Sequence, residues 1–211
     1  MADPGLFVVV EGPEGSGKST LIRALAARMA TAGQEPVVVR EPGGTALAES
    51  VRQTLLEVDH EVAPVAELFL FLAARADLTV QVLRPALARG QVVLADRFTL
   101  STEVYQVVGR GVDGALVAAG NAAATGGLRP DLTLVLDLPP GVGRGRQEAA
   151  GKALDRLDRE SSEFHDRICR AYVAVTGPGV VHLDGTGSPE QLLEAAWTAV
   201  RTVRPDLWRQ S

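Results

Sequence analysis

Five short apolar runs punctuate the chain: LFVVV (6–10), PVVV (36–39), QVVLA (91–95), LTLVL (132–136) and VVHL (180–183). Several are rich in Val, and Gly, Pro or Asp bounds them. Continuous apolar character, without polar alternation, is what a strand covered on both faces of a parallel sheet requires. The segments between them carry apolar residues at helical spacing: Leu21, Ile22, Leu25 and Met29, then Leu68 through Leu87, then Leu192 to Val200. Alternating strands and helices predict an α/β fold, a five-stranded parallel sheet with helices on both faces. On such a sheet ligands bind beyond the carboxyl ends of the strands, so the residues following each strand are the ones to read for chemistry.

One stretch breaks the pattern. In VGRGRQEAAGKALDRLDRES (142–161) charges are dense, and Gly145 and Gly151 interrupt helical spacing. It reads as a mobile flap or lid, the alternative being a solvated helical hairpin.

At 211 residues the chain fits one domain spanning 1–211. Its 21 basic and 26 acidic residues leave a net charge of −5, which argues against a nucleic-acid-binding surface. The single cysteine, Cys169, has no partner for an internal disulfide, and MADPGLFVVV lacks the basic start of a secretory signal. No uncharged apolar run reaches the ~18 residues that span a bilayer. The expectation is a cytoplasmic enzyme acting on a small molecule, with no membrane and no nucleic acid as partner.

Gly12-Pro13-Glu14-Gly15-Ser16-Gly17-Lys18-Ser19, followed by Thr20, matches G-x-x-x-x-G-K-[ST] between a predicted strand and a predicted helix. In that context the glycines turn backbone N–H groups onto phosphate oxygens, Lys18 bridges the β and γ phosphates, and the Ser19 hydroxyl meets Mg²⁺. This predicts a P-loop for ATP. Asp96 ends the third apolar run, where a carboxylate reaches the metal, and Arg97 adds a phosphate-directed group. No N-K-x-D guanine signature is present. A phosphotransferase needs an acceptor pocket across the strand ends. Arg40, leaving a strand at Arg40-Glu-Pro42-Gly-Gly-Thr, could meet an acceptor phosphate or merely begin a turn. Phe71 and Arg75, four residues apart, share a helix face and offer a ring for stacking and a fork of donors, unless they are a buried ring and its neighbour. Ser101, Thr102, Tyr105 and Gln106 could floor a sugar pocket.

Taken in order, EGPEGSGKST, REPGGT, FLAAR, DRFTLSTEVYQ, GRG, RPDLTLVLDLPP and LDRLDRES resemble the bacterial thymidylate kinases, which transfer the γ-phosphate of ATP to dTMP. The resemblance covers nearly the whole chain and implies a P-loop nucleotide kinase-like fold. It implies that Phe71 stacks on thymine, that Arg75 bonds its O4, and that Thr102 holds the base edge. Arg97 would grip the acceptor phosphate with Arg40 nearby, Tyr105 would pack on the deoxyribose, and Glu14 would accept from the 3′-hydroxyl. The bond before Pro42 would be cis. Because the P-loop carries no arginine, a cation of the lid, Arg156 or Lys152, would reach the β–γ bridge, while Arg146 packs on adenine and Asp184 borders it. Homodimers packed through helices are usual in the family, and LFLFLAA (68–74) could contribute. Two rivals stay in view: a kinase of another monophosphate such as dUMP, and a nucleotide-dependent switch.

Overall fold

The computed structural model describes residues 5–56, 58, 60–151 and 155–208. Five strands, β1 Leu6–Glu11, β2 Val37–Arg40, β3 Val92–Asp96, β4 Leu132–Asp137 and β5 Val180–Asp184, form one sheet in the order β2-β3-β1-β4-β5. Every pairing is parallel, with Val8 opposite Leu94 on one side and Leu132 on the other. β1 is central and buried along its whole length.

Alternation along β1 divides the core. Leu6, Val8 and Val10 face the layer that holds Leu21, Leu25 and Met29 of α1 (Lys18–Thr31) and Trp197 and Val200 of α9 (Pro189–Val203). Phe7 and Val9 face the opposite layer, with Leu78, Leu83 and Phe98. That second layer contains α2 (Ala46–Leu56) and α3 (Pro64–Leu78), which runs through a π-helical turn at Thr79–Leu83 into α4 (Arg84–Ala88). Helix α5 (Thr99–Thr102) likewise passes into a π-helical segment, Glu103–Gly109, and α6 (Gly114–Thr125) packs on α3. Helix starts are set locally. Ser188 and Gln191 close a capping box under Pro189, and the side chains of Asp113 and Ser161 accept from Leu116 N and Phe164 N. The apolar periodicity at 68–87 is therefore one long helical rod, as predicted.

Part of the 142–161 segment is regular despite its glycines. Helix α7 (Val142–Ala149) runs through Gly143 and Gly145 without a break. It docks on the phosphate loop by glycine-to-glycine packing: a Cβ on Gly15 would lie 2.2 Å from Gly143 O, and one on Gly143 2.1 Å from Glu14 O. Removing both side chains lets backbone meet backbone, which outweighs the ~1 kcal/mol that a helical glycine costs. The chain then turns into α8 (Ser162–Val173), whose Phe164, Ile168 and Tyr172 complete a third apolar cluster with Val104 and Val135. Lys152 lies outside the described residues.

At the β5 edge, His182 places Nδ1 2.8 Å from Asp137 Oδ1 and Nε2 2.7 Å from Val175 O. A neutral imidazole has one N–H, so only the imidazolium serves both acceptors. Burial pushes the ring's pKa down, but the Asp137 and Val175 hydrogen bonds outweigh it, and the net direction is up from 6.5. A raised folded-state pKa stabilises the fold fully below the unfolded value and is lost as pH rises through the folded value. Asp184, Cys169 and Arg170 line the same recess. We expect His182→Gln to lower the urea midpoint clearly at pH 5.5 and little at pH 9; equal losses at both would mean that the ring is held by packing alone.

Candidate active site

The carboxyl ends of β1, β2 and β3 open into a cavity of about 520 Å³. One wall is the phosphate loop. Gly12, Gly15 and Gly17 all take positive φ there, at 142°, 69° and 97°, and the loop leads directly into the amino end of α1. That combination of turned backbone and helix terminus favours an anion. Lys18 folds back to donate to Gly12 O at 2.9 Å and Pro13 O at 2.8 Å. Burial and the nearby Arg97 charge lower its pKa to about 8, against the opposing pull of Asp96 and Glu14. Ser16 is buried and its hydroxyl has no partner among the described residues, whereas Ser19 Oγ donates to Asp96 Oδ2 at 3.2 Å across the loop mouth. Thr20 also faces the cavity.

Arg97 crosses from β3 to the phosphate loop. Its backbone has φ 75°, a conformation rare outside glycine that costs about 1–3 kcal/mol, fastened by Arg97 N donating to Val10 O at 3.0 Å. Its guanidinium donates to Glu14 Oε1 at 2.7 Å, to Ser101 Oγ and Tyr172 Oη at 3.0 Å, and to Tyr105 Oη at 3.4 Å. Tyr105 in turn donates to the other Glu14 oxygen in a short hydrogen bond. Burial pushes the Glu14 carboxyl up, yet Arg97, Lys18 and Tyr105 together hold it below its usual value. Beneath this group Glu11, at the end of β1, accepts from Phe98 N, Ser101 N, Ser101 Oγ and Tyr172 Oη. It thereby ties the turn after β3, and the reach of α8, to the central strand.

Across the cavity stand Phe71, Arg75, Thr102 and Gln106, with the cis Glu41-Pro42 bond at the exit of β2. Arg75 is 2% exposed, and protein acceptors take all five of its N–H groups: Glu41 Oε2 twice, Phe98 O, Thr102 Oγ1 and Asn121 Oδ1. Arg40 leaves the same strand, lines the cavity and pairs with Glu49 at 2.9 Å.

The thymidylate kinase family model matches residues 10–196. The chain belongs to the thymidylate kinase family. It is similar to the thymidylate kinase of Pseudomonas fluorescens (strain Pf0-1), 51% identical over 170 residues and 80% of each chain. Against that of Desulfovibrio desulfuricans (strain ATCC 27774 / DSM 6949 / MB) it is 50% identical over 177 residues, 81% of this chain and 82% of the other. The enzyme of Synechococcus sp. (strain JA-2-3B'a(2-13)) is 43% identical over 203 residues, 95% and 96% of the two chains. An enzyme of this family is a kinase, and the parallel five-stranded sheet is consistent with its fold.

Most residues singled out from the sequence converge on the one cavity: Glu14, Gly15, Gly17, Lys18, Ser19, Thr20, Arg40, Pro42, Phe71, Arg75, Asp96, Arg97, Ser101, Thr102, Tyr105 and Arg146 all line it. Arg146, on α7, reaches Gly15 O and Gly185 O and so bridges the phosphate loop to the turn after β5. Arg156 and Asp184 stand elsewhere in this structure. Arg156 does not line the cavity: its Nε donates to Leu55 O at 2.8 Å and its Nη2 pairs with buried Glu67. The dense lid charge contains a structural cation, and Glu67 claims it. Asp184 is turned onto its own loop, accepting from Thr186 N and Oγ1, and it lines the recess at the sheet edge instead of the cavity. Gly185, its neighbour, is what Arg146 meets.

Arg52, on α2, escaped the sequence reading. It lines the cavity and donates to Pro42 O at 3.1 Å; burial, then Arg40, lowers its pKa against the attraction of Asp155, Glu49 and Asp96. Four-residue spacing from Ala48 on the packed face of α2 was the available signal, hidden because an arginine on an amphipathic helix reads as solvated. We expect Arg52→Met to lower kcat/KM by about 10²-fold with little change in thermal stability. Arg156→Met should instead destabilise the fold by about 2 kcal/mol, since it takes one of two arginines from a buried carboxylate. Turnover and denaturant melts of both variants separate the two roles.

Proposed function

We propose that the enzyme transfers the γ-phosphoryl group of ATP to the phosphate of dTMP, giving dTDP and ADP. The observation that carries this reading is a single cavity with a phosphate loop at one end and Phe71, Arg75 and Thr102 at the other, on a chain of the thymidylate kinase family. A dTMP phosphate oxygen attacks the γ-phosphorus in line, and the bond to the β–γ bridging oxygen breaks. No covalent enzyme intermediate is involved, so positioning and charge neutralisation supply the catalysis.

Lys18 leaves the carbonyls of Gly12 and Pro13 to meet the β and γ phosphates, while Arg97 holds the acceptor phosphate. The hard oxygens of Ser19 and Asp96, 3.2 Å apart beside the loop, suit Mg²⁺, which keeps several waters and takes few protein ligands. When bound, that ion neutralises charge on the transferring phosphates. Phe71 stacks on thymine, Tyr105 packs on the deoxyribose, and Glu14 takes the 3′-hydroxyl. Arg75 meets the base carbonyl by sharing a donor already committed to a protein acceptor. Arg146 and Gly185 flank the adenine.

We further read the enzyme as a cytoplasmic homodimer. Among the described residues no helix is long and apolar enough to cross a membrane. Supporting the dimer, Phe69 on α3 is 54% exposed and Val80, just past its end, 67%, with Val65 before them. Adjacent α6 carries no charged residue from Gly114 to Thr125 and exposes Leu116. An apolar face of this kind is suited to burial against a second copy.

Two measurements test these readings. ADP release across dTMP, dUMP, dCMP, dGMP and AMP should favour dTMP, and Lys18→Met should lower its turnover by about 10²-fold or more with an unchanged circular dichroism spectrum. Near-normal turnover in that variant would sink the phosphate assignment. Sedimentation should show a dimer that Phe69→Lys converts to monomer; a wild-type monomer would remove the dimer reading.

A further inference from the structure

Glu67 is 0% exposed, lies outside the cavity, and yet collects three donor side chains from two other segments. Gln106 Nε2 reaches its Oε1 at 3.0 Å, Arg110 donates to both oxygens at 3.1 and 3.3 Å, and Arg156 Nη2 closes on Oε2. Arg110 also pairs with Glu160 at 2.6 Å. The chain Glu160, Arg110, Glu67, Arg156 alternates in sign and sums to zero, so a buried carboxylate is tolerated without an uncompensated charge. Burial pushes the Glu67 carboxyl up, but the hydrogen bonds from Arg156, Arg110 and Gln106 outweigh it and hold it below the usual carboxylate value. An ionised carboxylate accepts only.

That has a directional effect on Gln106, which lines the cavity beside Phe71, Thr102 and Arg75. A glutamine amide has a donor end and an acceptor end, and either could face a ligand. With the NH₂ end anchored on Glu67, the carbonyl oxygen is left as the amide's unused acceptor. It takes no partner among the described residues, and it is not one of the orphaned buried oxygens. The side chain stands in the π-helical segment Glu103–Gly109, next to Thr102, whose hydroxyl already accepts from Arg75 at 2.7 Å and keeps its own hydrogen to give. The pair presents one donor and one acceptor.

We propose that Glu67 is a positioning residue for acceptor selectivity: by holding the Gln106 amide with its carbonyl oxygen toward the cavity, it favours a pyrimidine whose ring nitrogen carries a hydrogen over one whose ring nitrogen is an acceptor. A thymine or uracil edge offers a carbonyl beside an N–H and matches. A cytosine edge offers an amino group beside a bare nitrogen and sets acceptor against acceptor. The inference rests on the reading that this cavity receives the acceptor nucleotide.

The test compares wild type with Glu67→Gln, whose amide can donate to the Gln106 carbonyl and so allow the flipped orientation. Steady-state kinetics are run with dTMP and dCMP. The expected result is a dTMP KM raised about tenfold or more, kcat within about threefold, an unchanged KM for ATP, and a dTMP-to-dCMP ratio of kcat/KM reduced at least tenfold. Gln106→Leu should give the same loss, and the double variant E67Q/Q106L no further one, because both remove a single orientation. An unchanged ratio in E67Q, or an equal fall for both nucleotides and ATP, overturns the proposal. If the lone neutral amide beside two arginines does not fold, the charge-balanced pair E67Q/R156Q carries the comparison against R156Q alone, with the same expected and overturning ratios. A wild type that does not use dTMP at all would remove the underlying reading, an outcome distinct from intact dTMP turnover with unaltered selectivity.

Discussion

Glu14 and Arg97 form the ion pair on which the cavity is assembled. A carboxylate within a phosphate loop is an electrostatic liability unless a cation holds it, and here the guanidinium sits 2.7 Å away with both side chains less than a fifth exposed. The pair fixes the phosphate loop to the turn after β3, and with Tyr105 it fixes both to the π-helical segment. Arg97 accepts a strained backbone to do so. The strain is tolerable because four side-chain contacts and the Val10 carbonyl specify its position. An incoming phosphate then competes with Glu14 for a guanidinium already aimed, so the cost of ordering the arginine falls on folding and not on binding.

Two further buried hubs divide the remaining labour by sign. Arg75 is a cation whose five donors draw together β2, α5 and α6, and Glu67 is an anion whose acceptors draw together α3, the π-helical segment and the chain leading into α8. Neither is an efficient source of stability, because desolvating a charge offsets most of the attraction gained. What such hubs confer is direction. Apolar packing sets volumes but not which way an amide or a hydroxyl faces, and a pocket that reads a base needs that second kind of order.

Much of the fold was legible because it depends on local patterns. Val-rich runs place all five strands to within a residue at most ends, and the end of β3 sets Asp96 beside Ser19 of the G-x-x-x-x-G-K-S loop. What was not legible depends on partners distant in sequence. Arg156 and Arg146 look alike in a basic lid, and only the fold shows that Glu67, 89 positions away, takes one and leaves the other beside Gly15. Asn121 sits in the alanine-rich run of α6, which carries no chemical signal, yet its oxygen lies 2.6 Å from Arg75. Gly145 misled for a different reason: a glycine inside a helix weakens it only slightly, and the docking of α7 through Gly143 more than compensates.

The seam between Gly15 and Gly143 couples two parts of the chain that are 128 positions apart (143 − 15). A side chain added at Gly15 strikes the Gly143 backbone and one added at Gly143 strikes the Glu14 carbonyl, so neither position can drift alone. A larger residue at one site cannot be rescued by a smaller one opposite, since both are already as small as residues can be. Chimeras that exchange this lid for one of another design should therefore succeed or fail as a block, with the phosphate loop travelling alongside its covering helix.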